Sequence, residues 1–534
     1  MASANEIIQL LTSLGPSLSS DIGKELQKLG FSDVAARKVI QRARAPIKRL
    51  QDIRFPHNRR FLYLDGQFRS EKFLKGLLAA FDSTGSIYGV ALRALEGYGG
   101  VIPVAHFPRV SGLPHGLKGQ LSPDQVLNNL LKVGLLKRAH VFDIGECVRL
   151  GSLAPFAPDP YMRVRARLIA EDILLLGLQN WVKKNGLASF EKVKVRTPES
   201  TPDFAHVRWD LTAPSYLLPL SERNGAGATP GFVTADVSLA DRLDEASISY
   251  FLRKCVSISS RGKNRPFLPM LIASGFTREA LRAGRKAGLI LTTPENFFGS
   301  EIAEALQNLI EVLGNAATKA ETQPEIIGEL FSKLSKIEGA AGNLRGPLFE
   351  LLVAHCVREC EGTSVTIGIL AVTSKGDKAD IDVLSVKGRQ KICAYECKGI
   401  APTNEVSKNE VEKWLTKTIP RVYEWLQNQE IYRGNEVSFE FWTSGIFSSE
   451  ALAMLQTHKA RTHRYEIGWR DGSEVYRYAK KIRSSRVEDL LNEHFLKHPL
   501  SETVRFVSKP GRGRSGVHDH NNGVREDISG VHDQ

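Results

Sequence analysis

Apolar residues fall at helical spacing in three short N-terminal segments. Ile7, Ile8, Leu10, Leu11 and Leu14 line the first, and Ile22, Leu26 and Leu29 the second. After a Gly30-Phe31 turn, Ser32 caps a third that carries Val34, Val39 and Ile40. Phe61-Leu62-Tyr63-Leu64 then reads as a strand. Further helical patterns cover about 70–82 and about 86–97, and Ser122-Pro123 opens another with cap and first-turn proline in the expected order. Downstream, Leu271-Ile272-Ala273-Ser274-Gly275-Phe276 echoes Phe441-Trp442-Thr443-Ser444-Gly445-Ile446, each a strand running into a helix.

The C-terminal echo is preceded by the stretch richest in chemistry, Asp380-Ile381-Asp382-Val383-Leu384 and then Ala394-Tyr395-Glu396-Cys397-Lys398-Gly399. Side chains of a strand alternate faces, so Glu396 and Lys398 share one face and Cys397 points away. Ile381 to Val386 reads as the preceding strand, and the loop between them decides the register. A two-residue loop, Gly388-Arg389, sets Asp382 opposite Tyr395 and sends the carboxylates to opposite faces. An odd loop, Gly388 to Gln390, sets Asp382 opposite Glu396 and Asp380 opposite Lys398. The odd loop is the expectation, because two acids and a lysine on one face can hold a hard cation and activate water. An ion pair on an exposed edge strand is the competing explanation.

This arrangement resembles the PD-(D/E)XK nuclease superfamily, with its restriction-endonuclease-like fold. Glu350, in Gly346-Pro347-Leu348-Phe349-Glu350-Leu351-Leu352-Val353, matches the acid of the early helix. Asp382 matches the strand Asp, and Glu396-Cys397-Lys398 the Glu-x-Lys element; Ile381 stands where the family signature has proline. The resemblance implies Glu350, Asp382, Glu396 and Lys398 as catalytic residues. It implies Mg²⁺, which Mn²⁺ can replace, on Asp382, Glu396 and the Cys397 carbonyl, with Asp380 as an accessory.

The first echo has the same order of parts. Glu171 lies in a helical segment, Asp210 precedes Gly275 by about the interval that separates Asp382 from Gly445, and Asp236 and Ser238 end the strand Gly231–Ser238. Ser238 takes the lysine's place, so this copy is expected to be degenerate. Arg253, Lys254, Arg261, Lys263 and Arg265 are read as its nucleic-acid cradle, with residual metal at Asp210 and Asp236 left open.

Charge adds a partner. The net charge is +13, and residues 1–150 hold 21 Lys and Arg against 12 Asp and Glu, a net +9. A polyanion is the expected ligand. Arg37, Lys38, Arg42 and Arg44 on the third helix, followed by Arg59 and Arg60 beside the strand, resemble the recognition helix and wing of a winged helix. Plain helical bundles for dimerisation are the competing reading, above all for the second unit. The helix at about 407–428 carries Lys408, Lys413, Lys417 and Arg421, equally suited to a phosphate strand or to a solvated face. Six cysteines suggest reduced core thiols, and the spacing of Cys393 and Cys397 on a strand argues against zinc.

The expected fold is therefore multidomain α/β, N-terminal winged helices followed by two tandem restriction-endonuclease-like α/β/α domains. The boundaries are 1–66 and 67–152 for the winged helices, 158–315 for the degenerate copy, 325–490 for the active copy, and 505–534 for a disordered tail. No run of apolar residues spans a bilayer and no secretory signal is visible, so a cytoplasmic location is expected, with no membrane partner. The expected activity is Mg²⁺-dependent cleavage of double-stranded DNA in restriction or phage defence, alone, as a homodimer or with defence-complex partner proteins. A non-cleaving DNA-binding regulator and an RNA-directed nuclease are the alternatives.

Overall fold

Two five-stranded sheets with the same wiring organise the chain. The computed structural model describes residues 2–117, 119–151, 158–197, 200–224, 227–261, 265–315, 323–388 and 391–496. In the middle of the chain β1 (Lys194–Val195), β2 (Leu211–Ser215), β3 (Gly231–Ser238), β4 (Phe267–Ala273) and β5 (Ile290–Thr292) lie side by side in that order. The first three are antiparallel and the last two join in parallel. Near the C-terminus β6 (Ser364–Val372), β7 (Lys378–Lys387), β8 (Lys391–Lys398), β9 (Glu436–Thr443) and β10 (Glu466–Arg470) repeat both the order and the directions.

Helices cover both faces of each sheet. Helix α1 (Pro158–Lys184) packs Ile173 and Leu174 against Val233, Val237 and Ile272, while α2 (Ser249–Ser259) packs Phe251 and Ile258 on the other face with Leu271 and Ala273. In the C-terminal sheet α3 (Ala340–Glu361) buries Leu348 and Leu352 against Val383, Tyr395 and Cys397. The helical stretch 408–428 covers Leu384, Ile392 and Ala394 with Trp414, Ile419 and Val422. The period-two alternation of β8 thus serves two different layers.

The N-terminal region holds two units with matching three-stranded antiparallel sheets. Ser17–Leu18, Ile47–Arg49 and Phe61–Leu64 pair in the order first, third, second, and so do Val101–Pro103, Leu136–Val141 and Gly145–Leu150. The expected helices are there: Ala2–Ser13, Ser19–Lys28 and Asp33–Arg42 in one unit, and Glu71–Thr84, Ile87–Gly97 and Pro123–Val133 in the other. Ser32 accepts the Ala35 N–H and Ser122 closes a capping box with Gln125, as their sequence context predicts.

Some cores stay inside the expected boundaries, Ile7 to Leu62 within 1–66 and Ala371 to Ile467 within 325–490, and others cross them. One apolar cluster runs from Ala166 of α1 to Phe495, joining both sheets, and a second joins Leu18 and Leu130 to Phe251 and Ala273. The described chain up to Leu496 forms one compact unit. The tail at 505–534, Lys263, and Arg389-Gln390 of the predicted loop lie outside the described residues. Among the described residues no helix is long and apolar enough to cross a membrane. The six cysteines form no disulfide, and all but the half-buried Cys360 are buried.

Candidate active site

The β7–β8 ladder runs from Lys387↔Lys391 to Val383↔Tyr395. This is the register of a three-residue loop, and its next pair is Asp382 with Glu396. The ladder ends there because the Asp382 carboxylate takes over: its Oδ2 accepts the Cys397 N–H at 2.7 Å. On the other side of β7, pairing skips Gly368 opposite Asp382, between Ile367↔Val383 and Ile369↔Ile381. Gly368 has φ +71°, the left-handed region that glycine enters without a Cβ penalty.

Glu396 and Lys398 project together, and Lys398 Nζ lies 3.0 Å from Glu396 Oε1. The Glu396 charge keeps the Lys398 ammonium protonated above its ordinary range. Lys398 is anchored from behind, where its carbonyl accepts Thr443 Oγ1 at 2.9 Å and the Ser444 N–H at 3.1 Å. The Thr-Ser-Gly of the repeated segment therefore seats the end of β8 at Lys398.

Glu350 comes from α3 and is buried. Burial raises its carboxyl above the ordinary range, and Arg165, with Nη2 2.7 Å from Glu350 Oε1, opposes that. Asp382 is pushed up further, first by burial and then by the charges of Glu396 and Glu350, against Lys398 and the Cys397 N–H. Asp380 is raised by burial and by Asp143. Such crowding of carboxylates is costly without a compensating cation.

Asp380, Asp382, Glu396 and Lys398 line one cavity of about 430 Å³, with Lys413 and Lys417 on its rim. Size does not single it out. A cavity of about 730 Å³ between Tyr423 and Tyr465 is larger, but its lining brings a single carboxylate, Glu424. Among the described residues no group of three or more His, Cys, Asp or Glu side chains is gathered to hold a metal ion. Two carboxylates and a main-chain carbonyl still fit a cation that keeps several of its waters, as Mg²⁺ does. Glu350 Oε2 and Asp380 Oδ1, both buried without hydrogen-bond partners among the described residues, add unsatisfied acceptors.

The middle sheet, expected to hold a degenerate copy, aligns with the C-terminal one by register. Asp236 faces Leu271 and Ser238 faces Ala273, as Glu396 faces Phe441 and Lys398 faces Thr443. Asp210 Oδ2 accepts the Val237 N–H at 2.8 Å, the bond that Asp382 makes to Cys397. Glu171 arrives from α1 and accepts the Leu239 N–H at 3.0 Å. All three acids are fully buried and each meets protein cations. Arg109 and Arg196 clasp Asp210 at 2.6 and 3.0 Å, Arg196 also reaches Glu171 at 3.4 Å, and Lys254 holds Asp236 at 2.5 Å.

That corrects the predicted cradle at two positions. Lys254 is fully buried rather than presented to a phosphate, and Arg261 is turned inward to the carbonyls of Ser257 and Ala205. Arg253 is half-buried and Arg265, over the Phe232 ring, is exposed. Cations fill the ground left open for residual metal at Asp210 and Asp236.

In the first N-terminal unit Lys38, Arg42, Arg44 and Arg60 are exposed, Arg59 is half-buried, and Arg37 pairs with Asp33 at 2.9 Å. Sequence reasoning missed Asp143, Arg165, Arg109 and Arg196. The only signal for Arg165 was a cation among apolar positions of α1, and periodicity names no partner for such a residue. No family model matches this chain, and no curated protein matches it.

Proposed function

We propose that the chain is a metal-dependent nuclease of the PD-(D/E)XK type that hydrolyses double-stranded DNA. The observation that carries this reading is the convergence of Asp382, Glu396 and Lys398 on one cavity, with the Glu350 charge close to Asp382. When bound, Mg²⁺ would supply an acidified water and neutralise charge building on the phosphorane. Asp382 and Glu396, with the Cys397 carbonyl, would hold it. Lys398, as an ammonium, orients the attacking water and the scissile phosphate. Lys413 and Lys417 have no ion-pair partner among the described residues and stand ready for strand phosphates. The N-terminal units, read as winged helices, supply the duplex grip through Lys38, Arg42, Arg44 and Arg60. Restriction or phage defence is the proposed setting, in the cytoplasm.

A non-cleaving DNA-binding regulator is the second reading, favoured by the lack of any three-side-chain metal group among the described residues. Incubating the purified chain with supercoiled plasmid and Mg²⁺ or Mn²⁺, beside Asp382→Ala and Lys398→Ala, separates the two. Cutting by the parent chain alone, with DNA binding kept in both variants, supports the nuclease. Binding without cutting in either metal supports the regulator, and preferential cutting of RNA moves the substrate.

A further inference from the structure

The turn of the second N-terminal hairpin lies against the candidate site. Asp143, in the turn between Leu136–Val141 and Gly145–Leu150, borders the same cavity as Asp382 and Glu396. Its Oδ2 accepts Arg165 Nε at 3.0 Å and Nη2 at 2.9 Å, and the same Nη2 donates to Glu350 Oε1 at 2.7 Å. The guanidinium is buried and stacks on Phe142, 5.0 Å from the ring centre. One Glu350 oxygen is thereby fixed while the other, Oε2, stays buried without a partner.

The hairpin is anchored where β7 begins. Glu146 pairs with Lys378 at 3.1 Å and with His140 at 2.9 Å, and the Asp143 charge helps raise the Asp380 carboxyl. Gly368, opposite Asp382, permits the close approach: a Cβ there would lie 2.9 Å from Met162 and 3.5 Å from Phe142. Asp143 itself has φ +58°, a conformation uncommon outside glycine though best tolerated by Asn and Asp.

We propose that Asp143 and Arg165 are positioning residues of the site: Asp143 holds Arg165, and Arg165 turns the free oxygen of Glu350 toward Asp382. The inference rests on the nuclease reading. Arg165 is no phosphate ligand, since it is buried and engaged on both carboxylates. The chain of contacts ties a unit carrying none of the sequence-predicted acids to the chemistry some 240 residues away in sequence.

A double-mutant cycle on the full chain tests this, with plasmid cleavage and Mn²⁺ affinity by electron paramagnetic resonance read on the same samples. Asp143→Ala, whose parent side chain is 59 % exposed and so leaves no large void, should lower kcat about tenfold or more, the order of loss usual when a residue that orients a metal site's groups is removed. KM for DNA should hold, the thermal midpoint should drop only by the small cost of alanine at φ +58°, and Arg165→Lys should recover part of what Arg165→Met loses. In a Glu350→Gln background Asp143→Ala should cost less than about twofold, because the effect travels through Glu350. An equal loss in both backgrounds, or a loss confined to KM or to the thermal midpoint, overturns the proposal. A parent chain that binds Mn²⁺ but cuts nothing defeats the nuclease reading alone. Equal Mn²⁺ affinities of Asp143→Ala and the parent, beside a weakened Glu350→Gln, would then defeat the positioning role as well, and equal weakening of both variants would uphold it.

Discussion

The two sheets place acids at the same register positions and treat them in opposite ways. Around β3 the acids Glu171, Asp210 and Asp236 are sealed from solvent and matched by Arg109, Arg196 and Lys254. Around β8 the carboxylates border an open cavity, and Lys398 is paired with Glu396 but partly exposed. A buried charged carboxylate is costly without a cation, and the two sheets differ in how fully they supply one. All three acids of the middle site meet buried protein cations, whereas around β8 Arg165 answers Glu350 and Lys398 answers Glu396, and Asp382 has no ion-pair partner among the described residues.

The largest expected contrast is catalytic. Asp382→Ala or Glu396→Ala should lower plasmid cleavage by on the order of 10³ with the fold intact, a magnitude typical of removing one preorganised transition-state group. A cut rate within a few-fold of the parent would break the assignment of the active copy.

Stability should show the reverse. Lys254→Met leaves Asp236 buried and unpaired, and urea unfolding should record a loss of about 3–5 kcal/mol. Lys398→Met removes a partly exposed pair and should cost under about 1 kcal/mol in the same assay. Equal costs would mean that both sites are structural.

Salt dependence sharpens the contrast among the basic residues. Replacing Lys413 and Lys417 together by alanine should reduce the slope of log affinity for DNA against log salt by about 2, one unit for each lost phosphate contact. Arg261→Ala, which removes a cation already spent on carbonyls, should leave the slope unchanged.

Smaller still is a pH effect on the metal-free chain. The folded Asp382 carboxyl is raised by burial and by Glu396 and Glu350, so the folded state binds a proton more tightly than the unfolded one. Its stabilising contribution is present below the unfolded value of about 4 and lost as pH rises through the folded value. Asp382→Asn should therefore melt higher than the parent at neutral pH, the advantage shrinking toward acid, and Mg²⁺ should raise the parent's melting temperature alone. The smallest expected effect is none: Ser238→Lys in an Asp382→Ala chain should restore no cleavage, since Arg109, Arg196 and Lys254 still occupy the middle site.

Much of the fold was legible because it depends on local rules. Ser32 and Ser122 announced their helices, Gly231–Ser238 was read as a strand to the residue, and the loop after Lys387 had to be odd for the carboxylates to meet. The echo of Ser274-Gly275 in Ser444-Gly445 marked equivalent strand ends, which the shared wiring places alike. The middle cradle was misread because a basic helix face looks the same whether it meets water or a buried aspartate; Lys254 meets Asp236. Domain boundaries followed the helix and strand patterns and the repeated segment, yet two apolar clusters run across them, since helices such as α1 bury faces against more than one neighbour.

By itself the sequence determined the order of elements and the face on which Glu396 and Lys398 stand. Backbone periodicity suffices for that, being a property of neighbouring residues, whereas the loop parity that brings Asp382 to them had two candidates and was decided by the strand ladder. Only the tertiary structure decided which charge answers which: that Arg109 and Lys254 close one site, and that Asp143 and Arg165 reach the other. Electrostatic partnership depends on distance and burial in space, and residues hundreds of positions apart carry no local mark of either.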